Sequence, residues 1–234
     1  GIFERCLERG YFASLSMVSA EVEDEIQRHA RDPRFEGHIL ITTEVTDRVA
    51  PLLKAGSAPA ALIGRAPAWE TISSVDLDNE KGGYVAGRHL CTLGYDELGI
   101  ILGNSALEES NDRRAGVERA LADAGCSVPG RYVAEGDYSR DSGYAIVQGW
   151  AARGVLPRAL FCASDTMAMG ALLALHEHDC RVPADVAVVG FDDLPSARYA
   201  LPPLTTGAAE AVHRELTPEL VVRNSCGASV PRST

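Results

Sequence analysis

The sequence predicts an α/β protein whose parallel sheets are flanked by helices, and three observations carry that reading. Short apolar runs alternate with helical patterns from end to end, as βαβ units require. The strand-and-helix series restarts near Asp76 to Glu80, dividing the 234 residues into two similar lobes, the first ending near Leu77. The third is the stretch Val182-Pro183-Ala184-Asp185-Val186-Ala187-Val188-Val189-Gly190-Phe191-Asp192-Asp193. Its apolar, β-branched run ends in a glycine, an aromatic and two carboxylates. This is the pattern of a buried strand that delivers acid groups to its carboxyl edge, where open α/β sheets bind ligands.

Strands are expected over 11–17, 37–41, 60–64, 98–103, 159–163, 186–191 and 219–223. Pro202-Pro203-Leu204-Thr205-Thr206 adds an extended segment, because proline biases its predecessor away from helix and threonine favours strand. Between the strands, Ala86, Leu90 and Leu93 share a helical face that stops at Gly94, and Val117, Ala120, Leu121 and Ala124 share one that stops at Gly125. Ala168, Ala171, Leu172 and Leu175 form a third face after Ser164 and Asp165, both good N-cap types. Residues 1–10 read as the end of a helix with Gly10 as its left-handed stop, so further residues are expected upstream. The polar run 103–112 reads as a loop at the top of the second lobe's first strand, a position that faces a cleft.

A chain of this length accommodates one large or two medium α/β lobes. Its 46% hydrophobic and 24% charged residues are ordinary for a globular protein. The net charge of -11 argues against this segment gripping phosphate backbones by itself, since such affinity comes from clustered Lys and Arg. Cys6, Cys91, Cys126, Cys162, Cys180 and Cys226 are scattered without a C-x-x-C pair and read as reduced packing residues of a cytosolic protein. No apolar run approaches the roughly 18 residues that span a bilayer. His176-x-His178 falls near a helix C-terminus, where cationic histidine suits the dipole better than a metal does. No nucleophile elbow, Walker loop or dinucleotide fingerprint stands between a strand and a helix. Asp192 and Asp193, adjacent in sequence, point apart, unlike carboxylates that face across a scissile bond. No cofactor, metal or enzymatic activity is expected.

The Val-Gly-Phe-Asp-Asp and Pro-Leu-Thr-Thr segments together resemble the closing signature of the lactose-repressor (LacI/GalR) family of ligand-sensing transcription regulators. The resemblance continues through Val75-Asp76-Leu77-Asp78-Asn79 with Gly82-Gly83-Tyr84, and through His89-Leu90 with Gly94. Ile100 to Gly103, Arg113 with Gly116, and Gly136-Asp137-Tyr138 with Gly143-Tyr144 extend it, the last as a cleft loop carrying an aromatic. Phe161-Cys162-Ala163-Ser164-Asp165-Thr166-Met167-Ala168-Met169-Gly170 matches the next strand-to-helix turn. The order of these pieces makes the likeness specific where each alone is weak. It implies two Rossmann-like lobes of periplasmic-binding-protein type I architecture with a small molecule between them: 1–77 with a returning segment 207–218, and 78–206 with 219–234. It also implies homodimerisation and an N-terminal helix-turn-helix for operator DNA, which these residues do not contain. The family's long returning helix is represented here only by helical character over 208–216, so residues are expected to be missing beside it.

Five residues are candidate ligand contacts. At a helix start on a cleft rim, Arg113 offers a rigid fork of donors suited to vicinal hydroxyls or a carboxylate; the plain alternative is a solvated surface arginine, as Arg114 is read. Asp192 follows a buried strand and needs a donor, which a sugar's hydroxyl pair supplies. The competing role for Asp192, N-cap of a short helix over 194–199, is assigned to Asp193. Tyr138 sits in a polar loop, either as a ring for the apolar face of a sugar or base, or as a lid on its own lobe. Ser164 stands where the family most often has asparagine and has a shorter reach; Asp165 beside it reads as a helix cap. Asn111 adds a polar contact or none. The reading is therefore a small-molecule effector core, with a sugar as the family's commonest ligand. A periplasmic or secreted sugar carrier is the alternative, against which the six cysteines and the two closing segments count.

Overall fold

A computed structural model describes residues 2–15, 28–29, 31–41, 58–65, 73–210 and 215–228. The chain divides into two units, Gly1–Ser74 and Val75–Thr234. In the first, helix α1 (Ile2–Glu8) ends before Gly10, whose φ of 79° gives the left-handed stop read from the sequence. Strands β1 (His38–Ile41) and β2 (Ala60–Ile63) pair in parallel, from His38 opposite Ala60 to Ile41 opposite Ile63. The strand expected over 11–17 is not formed at 11–15, and 16–17 lie outside the described residues. Tyr11, Phe12 and Leu15 are exposed, so their apolar run buries no face.

Strand β3 (Ser73–Leu77) runs from the last residues of the first unit into the second, which holds α2 (Asn79–Thr92), β4 (Leu98–Leu102), α3 (Glu108–Ala124), β5 (Val133–Glu135) and α4 (Arg140–Ala152). After them come β6 (Ala159–Cys162), α5 (Asp165–Glu177), β7 (Ala187–Phe191), β8 (Thr205–Glu210) and β9 (Glu215–Val221). The strands lie in the order β3-β9-β8-β7-β6-β4-β5. Every neighbouring pair is parallel except β8 and β9. Each residue of β4, β6 and β7 is buried. Covered on both faces by helices, such strands read as unbroken apolar runs, which is why the sequence revealed them.

Helical character expected over 208–216 is a correction: β8 and β9 form an antiparallel pair from Thr206 opposite Val221 to Glu210 opposite Thr217, and 211–214 lie outside the described residues. Alanine-rich composition favours helix, but β8 also pairs with β7 through Val189–Thr205 and Phe191–Gly207, and the ladder overrides propensity. The strand residues of the returning segment 207–218 consequently pair within the second unit. Helix α4 went unread. Ser139 caps it by accepting from Ser142 N, and Gly143, Val147 and Trp150 form its buried face. Two glycines inside the helix, Gly143 and Gly149, hid the period.

The helices pack as close pairs, α2 with α3 and α4 with α5. A Cβ on Gly83 would lie 2.1 Å from the Arg113 carbonyl oxygen, and one on Gly116 would lie 1.9 Å from that of Glu80. The second pair repeats the device, with Gly143 at 2.1 Å from Met167 O and Gly170 at 2.0 Å from Arg140 O. Backbone meets backbone at all four points, so no side chain can rotate away. We expect Gly116→Ala and Gly143→Ala each to lower the unfolding free energy by about 1–3 kcal/mol, the usual cost of overpacking. Gly130→Ala, where a Cβ meets nothing within 4 Å, should be near neutral. Urea denaturation of the three variants checks this.

Candidate functional site

Three strands of the second unit end side by side, and β7 runs on into Asp192 and Asp193. Both adopt positive φ, 114° and 51°, a region L-residues seldom occupy. Outside contacts hold this turn: Asp192 N donates to Gly207 O at 2.8 Å and Asp193 N to the Thr206 hydroxyl at 3.1 Å. Leu194 N donates to Asp165 Oδ2 at 2.8 Å. Asp193 is not the N-cap expected for the following 3-10 segment (Pro195–Tyr199). Its carboxylate is taken by Arg223 at 2.6 Å, and the segment starts without a side-chain cap.

Arg113 lies on the second turn of α3 with 11% of its side chain exposed, so it is no solvated surface arginine. Its Nε donates to Asn79 Oδ1 at 2.8 Å and its Nη1 to Ala163 O at 2.5 Å. Nη1 also lies 3.5 Å from Asp192 Oδ1, and the guanidinium sits 3.9 Å above the centre of the Phe191 ring. Nη2 makes no hydrogen bond among the described residues. Burial pushes the Asp192 carboxyl up to about 6, against the pull of Arg113 and of the Asp165 backbone N–H. A 3.5 Å ion pair leaves the carboxylate room for a better donor.

Tyr138, with φ 67°, lays its ring on Gly103 at the end of β4, where a Cβ would come within 2.0 Å of it. Its hydroxyl is buried without a hydrogen bond, and so is that of Ser110; the two face each other without good geometry. Burial raises the phenol's pKa, Arg113 lowers it, and Glu109 and Asp192 raise it, so the ring is within electrostatic reach of the Arg113–Asp192 pair.

The other two candidates serve local structure. Ser164 is buried and its hydroxyl accepts from Met167 N at 3.2 Å, which makes it, and not Asp165, the N-cap of α5. Asn111 Nδ2 donates to the carbonyls of Ser105 and Leu107 at 2.9 and 3.2 Å, fastening the loop before α3. Asn79, Phe191 and Ser110 complete the surroundings without having been singled out as site residues. Asn79 stood in the sequence as the residue after the N-cap Asp78, and no local signal marks it as an arginine's acceptor. Among the described residues no group of three His, Cys, Asp or Glu could hold a metal ion. Two small cavities, lined by Leu93–Asp96 with Arg158 and by Leu172, His176 and Leu201 among others, lie away from these residues.

Residues 87–213 match the periplasmic binding protein-like domain family, over more than half of the chain. The HTH-type transcriptional repressor PurR of Klebsiella pneumoniae (strain 342) is 33% identical over 207 residues, which are 86% of this chain and 60% of that protein. Its counterpart in Haemophilus influenzae (strain ATCC 51907 / DSM 11121 / KW20 / Rd) is 30% identical over 95% of this chain and 74% of its own length. The chain belongs to the LacI/GalR family. It thus spans about three fifths to three quarters of the length of these relatives. Among solved structures, a complex of the transcriptional regulator CelR with cellobiose superposes with a TM-score of 0.82 at 28% identity, covering 96% of this chain and 76% of that one. The lac repressor dimer bound to operator and the anti-inducer ONPF gives 0.79 at 26% identity, covering 96% and 86%. No helix among the described residues is long and apolar enough to cross a membrane.

The acid edge has a pH signature. Asp192 and Asp165 titrate at about 6 and about 7 in the folded chain, above the ordinary carboxylate range, because burial disfavours their charge. Through these two groups the folded state binds more protons than the unfolded one between about pH 4 and 7, and their contribution to stability falls as pH rises through that window. Thermal melts should show a higher Tm at pH 5 than at pH 8, with the difference reduced in Asp165→Asn and Asp192→Asn. Equal melting temperatures at the two pH values in the parent chain would refute it.

Proposed function

We propose that this chain is the effector-binding core of a LacI/GalR-type transcriptional repressor. It takes a small polar effector, a sugar or a related metabolite, at the carboxyl edge of the second unit. The observation that carries this is the Arg113–Asp192 pair. It is a buried guanidinium whose outer amino group makes no hydrogen bond among the described residues, 3.5 Å from a carboxylate that is one-third exposed. The pair asks for a ligand presenting an acceptor beside a donor, as vicinal hydroxyls or a base edge do. Tyr138 supplies a ring face, while its hydroxyl is buried without a hydrogen-bond partner. The cellobiose held by one structural neighbour supports a sugar. The role is binding, without catalysis, and operator contact belongs to a helix-turn-helix N-terminal to these residues, in a cytoplasmic protein. Relatives named as repressors favour this over the carrier reading.

A thermal-shift screen of carbohydrates and nucleobases should yield an effector, and a screen with no stabilising compound would count against the reading. By calorimetry with that effector, Asp192→Ala should cost about 1.5–3 kcal/mol, roughly one to two decades of affinity. Tyr138→Phe should cost less than Tyr138→Ala, since the ring survives the first change. Unchanged affinity in Asp192→Ala would place the site elsewhere.

The core is also proposed to act as a homodimer. Tyr199 and Leu201 are 79% and 89% exposed, and Leu173 on α5 is 51% exposed. Leu201 lines a common hollow with Leu172 and His176 of α5, so one of these exposed side chains lies against that helix. One structural relative is a dimer on its operator. Sedimentation at micromolar concentration should give a dimer that Leu201→Asp dissociates. A monomeric parent chain would overturn this.

A further inference from the structure

Asp165 holds Leu194 N and shares the pH signature of the edge, but no role toward a ligand has been given to it. It is completely buried at the first position of α5, and a buried carboxylate needs a reason. Helix capping is not that reason, because Ser164 does the capping. The Asp165 side chain turns instead to the strand beside it. Oδ2 accepts from Leu194 N at 2.8 Å, while Oδ1 lies over Gly190, where a Cβ would come within 2.3 Å, and has no hydrogen-bond partner. In return the Asp165 backbone N–H faces the Asp192 carboxylate from the N-terminus of α5. The turn between these two contacts is Asp192-Asp193-Leu194, whose two positive φ angles require support from outside.

We propose that Asp165 is a positioning residue of the effector site, its carboxyl clasping the turn that presents Asp192. The word effector rests on the reading above; the clasp itself does not. Four groups face the Asp165 carboxyl. Asp192 and Asp193 approach from the end of β7, Thr206 from β8, and Cys162 from β6. Asp193 is paired with Arg223 and Asp192 is partly balanced by Arg113, which reduces their charges without removing them. Desolvation first, and then the charges of Asp192 and Asp193, bring Asp165 up to about 7, so the clasp changes its charge near neutrality. Ionisation strengthens its bond to Leu194 N and adds a negative charge beside Asp192. The grip on the turn and the charge at the ligand edge are set by the same proton.

The test needs no effector and therefore separates the clasp from the functional reading. Amide hydrogen exchange in 15N-labelled protein is read at Leu194, with Ile100 in β4 as the internal reference. Asp165→Ala should speed exchange at Leu194 by about tenfold or more while Ile100 is unchanged, since a local opening is separable from global unfolding. Asp165→Asn keeps an acceptor and should restore protection. Wild-type exchange at Leu194 in Asp165→Ala, failure of Asp165→Asn to restore protection, or equal acceleration at Ile100 would overturn the proposal. If Asp165→Ala does not fold, the Leu194 amide shift decides. It should titrate near pH 7 in the parent chain and stay flat in Asp165→Asn; a flat parent profile sinks the idea.

Discussion

Arg113 is held from several directions at once, and the closeness of α2 to α3 is what makes this possible. Its own carbonyl oxygen lies against Gly83, where a Cβ would stand 2.1 Å away, and Gly116 one turn on gives the same room to Glu80. Only with the two backbones in contact can Nε reach Asn79 at the start of α2 while Nη1 reaches Ala163 beyond β6. Phe191 then stacks beneath the guanidinium from β7. One side chain ties two helices to two strand ends, so the positions of the polar groups at the edge follow from backbone packing. A guanidinium fixed in this way loses little freedom when it meets a ligand.

The two carboxylates that end β7 have opposite fates, although they are neighbours in sequence. Asp193 is drawn to Arg223, with 25% of its side chain exposed and a 2.6 Å partner that satisfies it. Asp192 is left at 3.5 Å from Arg113, and burial wins over attraction in setting its proton affinity. Pairing with Arg223 therefore does more than anchor a turn. It offsets one of two like charges at the edge and leaves the other as the acceptor with capacity to spare.

The parts of this arrangement that depend on continuous apolar runs were readable in the sequence. β4, β6 and β7 are buried throughout, and α2, α3 and α5 show their period and their stops, Gly94 and Gly125 among them. What was not readable depends on neighbours remote in sequence. Residues 208–210 and 215–216 have helix-favouring composition, yet β7 and the facing strand decide their state. Ser164 and Asp165 are equally good N-cap types, and the choice between them is made by Leu194, 29 residues beyond Asp165. Arg113, Tyr138 and Asp192 could be named because their types and positions at element ends are suggestive by themselves. Asn79 and Ser110 could not, since their meaning comes from the arginine and the phenol they face.

Ser164 also shapes what remains for a ligand. Asparagine at this place, as in the family pattern, has a longer reach and a second polar atom; here a hydroxyl is spent on Met167 N and points back into its own helix. A neighbouring polar group on this side is occupied as well, the Ala163 carbonyl by Arg113, and the Asp165 backbone N–H faces Asp192. Among the described residues, the unspent polarity near the edge then comprises the outer amino group of Arg113, the Asp192 carboxylate, Asp165 Oδ1 and the buried hydroxyls of Tyr138 and Ser110. In the proposed site, discrimination among effectors rests on matching one donor, one acceptor and a ring face. On that proposal an analogue lacking a single hydroxyl leaves one of these groups unpaired, and that penalty selects more strongly than a gain of apolar contact.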